Sequence, residues 1–243
     1  MTATGGENHA GPSWPNPRLS RNEDSNGGAN VCYRTDLDVP VSTRAVMPSR
    51  RAIVVTLLSC LSSVGMASTR RKDYRASCQL LQDLGLIDKG ELPKMPDHRP
   101  QYDDPEPFGI HFFRTQVANA KLSNLTIPKT FFGRSKISKV SFENCDLSES
   151  TLCWNDFIEV DFSRSALTQS DLRASMYVKV CFDQADLRGV DLRLSSFDTC
   201  SFVGANMTNA LANRKRQASL PLSAAQRAQM YWTADDGEEP GGG

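Results

Sequence analysis

The chain of 243 residues lacks a charge of one sign, because its 28 basic side chains match 28 acidic ones. That balance argues against a protein that grips nucleic acid through many phosphate contacts. Histidine is scarce: His9, His98 and His111 are the only three, and none has a second ligand at metal spacing. Seven cysteines (Cys32, Cys60, Cys78, Cys145, Cys153, Cys181, Cys200) include no C-x-x-C pair. The sequence also lacks a phosphate-binding loop, a nucleophile elbow and a paired-carboxylate constellation. Its main apolar run, Ala52 to Leu61, is too short to span a bilayer. Together these gaps predict a protein with no catalytic residues, no cofactor and no metal.

What the chain does have is a period. From Phe112 to Met207 every fifth residue is apolar, twenty in succession, in a chain only 39% apolar overall. A period of five matches neither a helix at 3.6 nor a strand at 2. It requires a repeated supersecondary unit, and hence a solenoid. Two residues before each column position the side chain is mostly small (Thr115, Ser135, Ser165, Ser170, Ala185, Ala205), which suits a narrow tube. The residue between is often Asp or Asn, such as Asp146, Asp161, Asp171, Asp186, Asp191 and Asn206, a type that bonds nearby backbone in turns.

The stretches Ala185-Asp186-Leu187-Arg188-Gly189, Val190-Asp191-Leu192-Arg193 and Ala205-Asn206-Met207-Thr208-Asn209 resemble the pentapeptide-repeat family, whose pattern is A-(D/N)-L-x-x. The resemblance covers residues 110–211. It implies an all-β fold, a right-handed quadrilateral β-helix of about five coils with short flanking helices. If four pentapeptides make one square coil, residues twenty apart stack, and like residues do recur at that interval. Phe142, Phe162, Phe182 and Phe202 make one row; Phe157, Tyr177 and Phe197 another; Leu147, Leu167 and Leu187 lead into Met207; Leu152, Leu172 and Leu192 complete the four. These are the predicted structural core. Asn155 interrupts the small positions, but with Ser135 and Ser175 twenty residues to either side its amide can be satisfied within the stack.

The flanks divide by composition. Residues 1–46 are polar and aperiodic and read as a disordered or mis-annotated extension. Residues 47–67 have the layout of a secretory signal, with Arg50 and Arg51, the apolar run, then Gly65-Met66-Ala67. Two readings stand: Met47 is the true start and the protein is periplasmic or secreted, or the run is a buried segment of a cytoplasmic chain. Leu57-Leu58-Ser59-Cys60 weakly resembles a lipoprotein box, which would make Cys60 a lipid anchor. A chain cut after Ala67 keeps five cysteines, an odd number, so disulfides are not expected to be its main source of stability.

Residues 68–109 read as a short amphipathic helix, Lys72 to Leu86, then a proline-rich linker; the helix is expected to cap the solenoid. Residues 212–234 read as a second cap, with a helix from Ser223 through Trp232, and 235–243 as a disordered acidic tail.

Charge within the repeats is uneven. Residues 110–139 carry Arg114, Lys121, Lys129, Arg134, Lys136 and Lys139 with no acid, whereas 140–209 carry eleven acids against five bases. Trp154 falls where a side chain points away from the core and is a candidate partner contact, unless a flanking segment packs over it. The favoured function is a non-catalytic scaffold for an unknown protein partner, monomeric or weakly dimeric, with no nucleic acid bound and no membrane-spanning segment. The alternative, implied by the family, is a cytoplasmic DNA mimic that binds topoisomerase, as quinolone-resistance relatives do; the neutral charge and basic first coil oppose it.

Overall fold

The computed structural model describes residues 70–101 and 109–234, together with the backbone of Ala52–Val54 (β1). The expectations for 1–46, for most of 47–67 including Cys60, and for the tail 235–243 lie outside the described residues. Within them the chain winds as a parallel β-solenoid with four faces and a repeat of twenty residues. Face one stacks β2 (His111–Phe113), β4 (Phe131–Gly133) and β6 (Thr151–Cys153), then single bridges Thr151 to Asp171 to Asp191 to Leu211. Face two carries β3 (Gln116–Lys121), β5 (Lys136–Ser141), β7 (Asp156–Ile158), β8 (Met176–Val178) and β9 (Ser196–Asp198), with β1 paired beside β3. Faces three and four are held by isolated parallel bridges, such as Asp161 to Cys181 and Asp186 to Asn206.

Face one continues through β10 (Leu211–Asn213) to β11 (Tyr231–Thr233), which pair in parallel with Leu211 opposite Tyr231. The ladder from His111 to Tyr231 therefore makes about six turns, one more than the five expected. The expected helix through Trp232 is also corrected. Helix α2 covers only Ala224–Gln229, behind a Ser223–Gln226 capping box, and Met230 already has extended backbone. The open edge of β10 offers unpaired backbone groups, and Tyr231, Trp232 and Thr233 are residue types that favour strands, so pairing overrides the helix there.

The N-terminal cap, α1, spans Tyr74–Asp83, shorter than the periodic run suggested. Asp73 starts it by accepting from the Ala76 N–H at 2.8 Å. Gly85, with φ +68°, stops it: the Leu86 N–H reaches back to Leu81 O at 2.8 Å and the Gly85 N–H to Gln82 O at 2.9 Å. Cys78 and Leu81 are wholly buried, and the Ser77 hydroxyl accepts from the Thr126 N–H of the first coil at 2.9 Å.

The column side chains fill the tube. Phe142, Phe162, Phe182 and Phe202 stack with centroids 5.3, 5.4 and 4.9 Å apart, and Phe157, Tyr177 and Phe197 with 5.1 and 4.9 Å. The two stacks mesh edge to face, as at Tyr177 and Phe182, 5.7 Å apart. Leu147, Leu167, Leu187, Leu152 and Leu172 have no exposed surface. Phe197 differs from its row in being only partly buried. The chain leaves face two through a 3-10 turn at Arg214–Arg216, so no further strand covers that ring.

Each corner requires one left-handed residue. All twenty positions two beyond a column residue, from Arg114 to Asn209, have φ between 49° and 70°, and only Gly189 and Gly204 among them are glycine. An L-residue pays roughly 1–2 kcal/mol for that conformation, and β-branched Thr199 at φ 53° is badly matched to it. Thr199→Gly is therefore expected to raise the unfolding free energy by about 0.5–1 kcal/mol after the entropic cost of glycine. Urea denaturation checks this, and a loss of stability would contradict it.

Candidate interaction face

The polar residues of the repeats are occupied in holding the coil. On the small row, Ser175 Oγ accepts from the Asn155 N–H at 3.1 Å and donates to Leu152 O at 2.7 Å. Ser135, Ser165 and Ser170 do the same on their own levels, and Ser150 Oγ accepts from the Thr130 N–H. Asn155 substitutes an amide: Oδ1 accepts from the Ser135 N–H at 2.9 Å, and Nδ2 donates to Phe132 O and Cys153 O at 3.0 and 2.9 Å. The aspartates form short turns, each Oδ1 accepting the N–H two residues on, as at Asp146, Asp161 and Asp171. The sequence anticipated that the Asn155 amide is satisfied within the stack, but elsewhere its small side chains read only as fitting a narrow bore, not as carrying hydrogen bonds from coil to coil.

Where arginine follows at that spacing, a guanidinium closes on the carboxylate. Arg173 pairs with Asp171 at 2.7 Å, Arg188 with Asp186 and Arg193 with Asp191 at the same distance, and Arg173 Nε also lies 3.6 Å from Asp191. Burial works against ionisation of Asp171, but the Arg173 guanidinium outweighs it and holds the carboxyl below its usual range. A pKa depressed below the unfolded value of about 3.9 adds stability above that pH and loses it as pH falls through the folded value. Melting curves taken downward from neutral pH should therefore fall more steeply for the native chain than for Asp171→Asn. Equal slopes would refute this contribution.

Little here suggests reactivity. Cys78, Cys145, Cys153 and Cys200 are free and buried, and burial pushes the Cys145 thiol up to about 12 and Cys200 to about 11. Among the described residues, no group of three or more His, Cys, Asp or Glu is placed to hold a metal. A cleft of about 730 Å³ lies in the linker, lined by Leu92, Pro93, Met95, Pro96 and His98 among others. His111 begins β2 and is exposed. No described helix is long and apolar enough to cross a membrane.

The described flanking segments attach to particular sides of the rod. Arg71 and Lys72 bond the corner between faces three and four, through Asn144 O and Asn124 O. The linker follows the next corner and face one: Lys129 Nζ donates to Asp97 O, Arg99 to Gln169 O at 3.0 Å, and the Thr151 hydroxyl to Pro100 O. The C-terminal cap closes the far end, where Gln226 Nε2 donates to Phe202 O and Ala205 O at 2.7 and 3.0 Å. Face two remains the broadest strand-bearing side, with Ile158, Met176 and Val178 partly exposed at its centre. At its start Arg114, Lys136 and Lys139 are exposed, with Lys121 exposed just past the next corner on face three. Arg114 stacks on Phe113, itself 44% exposed, with its guanidinium carbon 5.1 Å from the ring centroid. Trp154 is half-buried at the corner between faces one and two, with φ 58°.

A four-sided tube with one wide apolar residue per side, a small hydrogen-bonding residue before it and a left-handed corner after it defines a pentapeptide β-helix. The family description "Pentapeptide repeats" matches eight copies, over residues 135–173 and 181–211. The coil geometry begins before the matched repeats, at His111, and ends after them, at Thr233. Among solved structures, the chain is similar to the pentapeptide repeat protein Rfr23 of the cyanobacterium Cyanothece 51142, at 14% identity, over 54% of this chain and 70% of that one, TM-score 0.32. It is also similar to HetL of Nostoc sp. strain PCC 7120, involved in heterocyst differentiation regulation, at 24% identity over 43% and 45%, TM-score 0.24. A trypsin-treated form of QnrB1, a plasmid-mediated fluoroquinolone resistance protein, is similar at 16% identity over 42% and 57%, TM-score 0.17. No curated protein sequence matches the chain.

Proposed function

We propose that the protein is a non-catalytic scaffold, exported from the cell that makes it, which binds a protein partner across face two. The observation that carries the reading is the parallel sheet of face two, whose outward residues Ile158, Met176 and Val178 put apolar surface between a basic start and the acidic Asp156 and Asp198. Interfaces commonly place such apolar patches within a polar rim. Support for export comes from the order of Arg50-Arg51, the apolar run and Gly65-Met66-Ala67. A DNA mimic is disfavoured by the exposed cations on the first two coils, which a DNA-binding enzyme would repel.

The test is a crosslinking capture from exported and cytosolic fractions of the source cells. Native chain is compared with Ile158→Glu/Met176→Glu and with a control altered on face four, Arg188→Ala. A partner held by native and control chains but lost with the face-two variant, in the exported fraction, is the expected result. Equal capture by all three, or a cytosolic topoisomerase as the partner, would overturn it.

A further inference from the structure

We propose that the basic start of face two receives the acidic tail of a second copy of this chain, linking molecules head to tail. The neutral total charge conceals a dipolar distribution. Arg114, Lys121, Lys136 and Lys139 reach solvent on the first two coils, and residues 110–139 include no acid to neutralise them. No ion pair joins these four to another described residue. The described chain ends at Ala234, at the opposite end of the rod, and is followed at once by Asp235, Asp236, Glu238 and Glu239.

Geometry decides between the same molecule and another. Thr233 stacks on Asn213, and the face-one ladder places that level five repeats beyond Gly133. At about 4.8 Å per repeat the separation is about 24 Å along the axis. Five residues, fully extended, carry Glu239 about 17 Å from Ala234. Allowing for the two side chains, only Glu239 at full extension approaches its own second coil; Asp235, Asp236 and Glu238 fall short of it, and all four fall short of the first. A second molecule has no such restriction, since its tail can pass the α1 cap and lie along the outward basic side chains of the first two coils. The contact is heterologous and does not close on itself, so it extends with concentration. It involves coils one and two, apart from Ile158 and Met176, and stands independently of the partner proposed above.

Sedimentation of the purified chain, over a range of concentrations at low and high salt, tests this. The expected result is reversible association that weakens on the order of tenfold as salt screens the contact. A chain ending at Ala234 and the variant Lys136→Glu/Lys139→Glu are each expected to remain monomeric. Adding Asp235→Lys, Asp236→Lys, Glu238→Lys and Glu239→Lys to that variant is expected to restore association by exchanging the two charges. All substituted positions reach solvent or lie in the tail, and circular dichroism verifies that each variant is folded. A native chain that stays monomeric at low salt overturns the proposal. So does a tail-less chain that associates as well as the native one.

Discussion

Phe182→Ala is expected to lower the unfolding free energy by about 3–5 kcal/mol, the range for removing a fully buried aromatic ring. The ring has no exposed surface. It lies between Phe162 and Phe202, with Tyr177 edge-on at 5.7 Å, so its loss opens a gap in both stacks at once. The backbone on either side is tied to neighbouring coils by hydrogen bonds and cannot collapse inward to fill that gap. Phe197→Ala provides the contrast. Its ring stacks on Tyr177 on one side only, meets Phe202 edge-on and is partly exposed, so the expected cost is about 1–2 kcal/mol. Chemical denaturation of both variants measures the difference, and equal costs would mean that stacking within the tube is not what stabilises it.

Asn155→Leu is expected to cost about as much, for a different reason. Its removal leaves the Ser135 N–H without an acceptor, and Phe132 O and Cys153 O lose the amide donor. A buried polar group left unsatisfied costs about 1–3 kcal/mol, so a total of about 3–5 kcal/mol follows. Asn155→Ser, by contrast, is expected to lose less than about 1.5 kcal/mol, because serine already makes the equivalent pair of bonds one coil on, at Ser175. If leucine is tolerated as well as serine, the amide is only a spacer and the coil-to-coil hydrogen bonding has been misjudged.

The core was legible because burial imposes a strict interval on the sequence. Phe142, Phe162, Phe182 and Phe202 each recur at twenty because each must meet the one below it. The corners were harder to read. Asn119, Asn124, Asn144, Asn209, Gly189 and Gly204 mark them with residues that tolerate positive φ, but Trp154, Lys179 and Leu194 occupy equivalent corners without advertising them. Burial elsewhere in the repeat offsets their strain, so the local preference is overridden and leaves no consistent signature. The last strand was missed although Tyr231 lies twenty residues beyond Leu211. The intervening chain breaks the interval of five, and the genuine cap at Ser223 suggested a helix longer than the six residues formed. For the outer surface, the sequence revealed the excess of cations in 110–139 but not which sides the flanking segments occupy. That depends on particular bonds such as Arg99 to Gln169 and Arg71 to Asn144, which no periodicity encodes.

The hydrogen bonds from each coil reach only the coils beside it, so length is a property that this chain can change in whole steps. Deleting twenty residues, for instance 156–175, would bring Asn155 against Met176 and preserve every row, every corner and both ends. The rod would simply be shorter by about 4.8 Å. Deleting five or ten would turn one side onto another and set aromatic columns over leucines. Such a molecule is graduated like a ruler: the α1 and α2 caps at its two ends can be moved apart or together by a set increment, while the chemistry of each end stays the same.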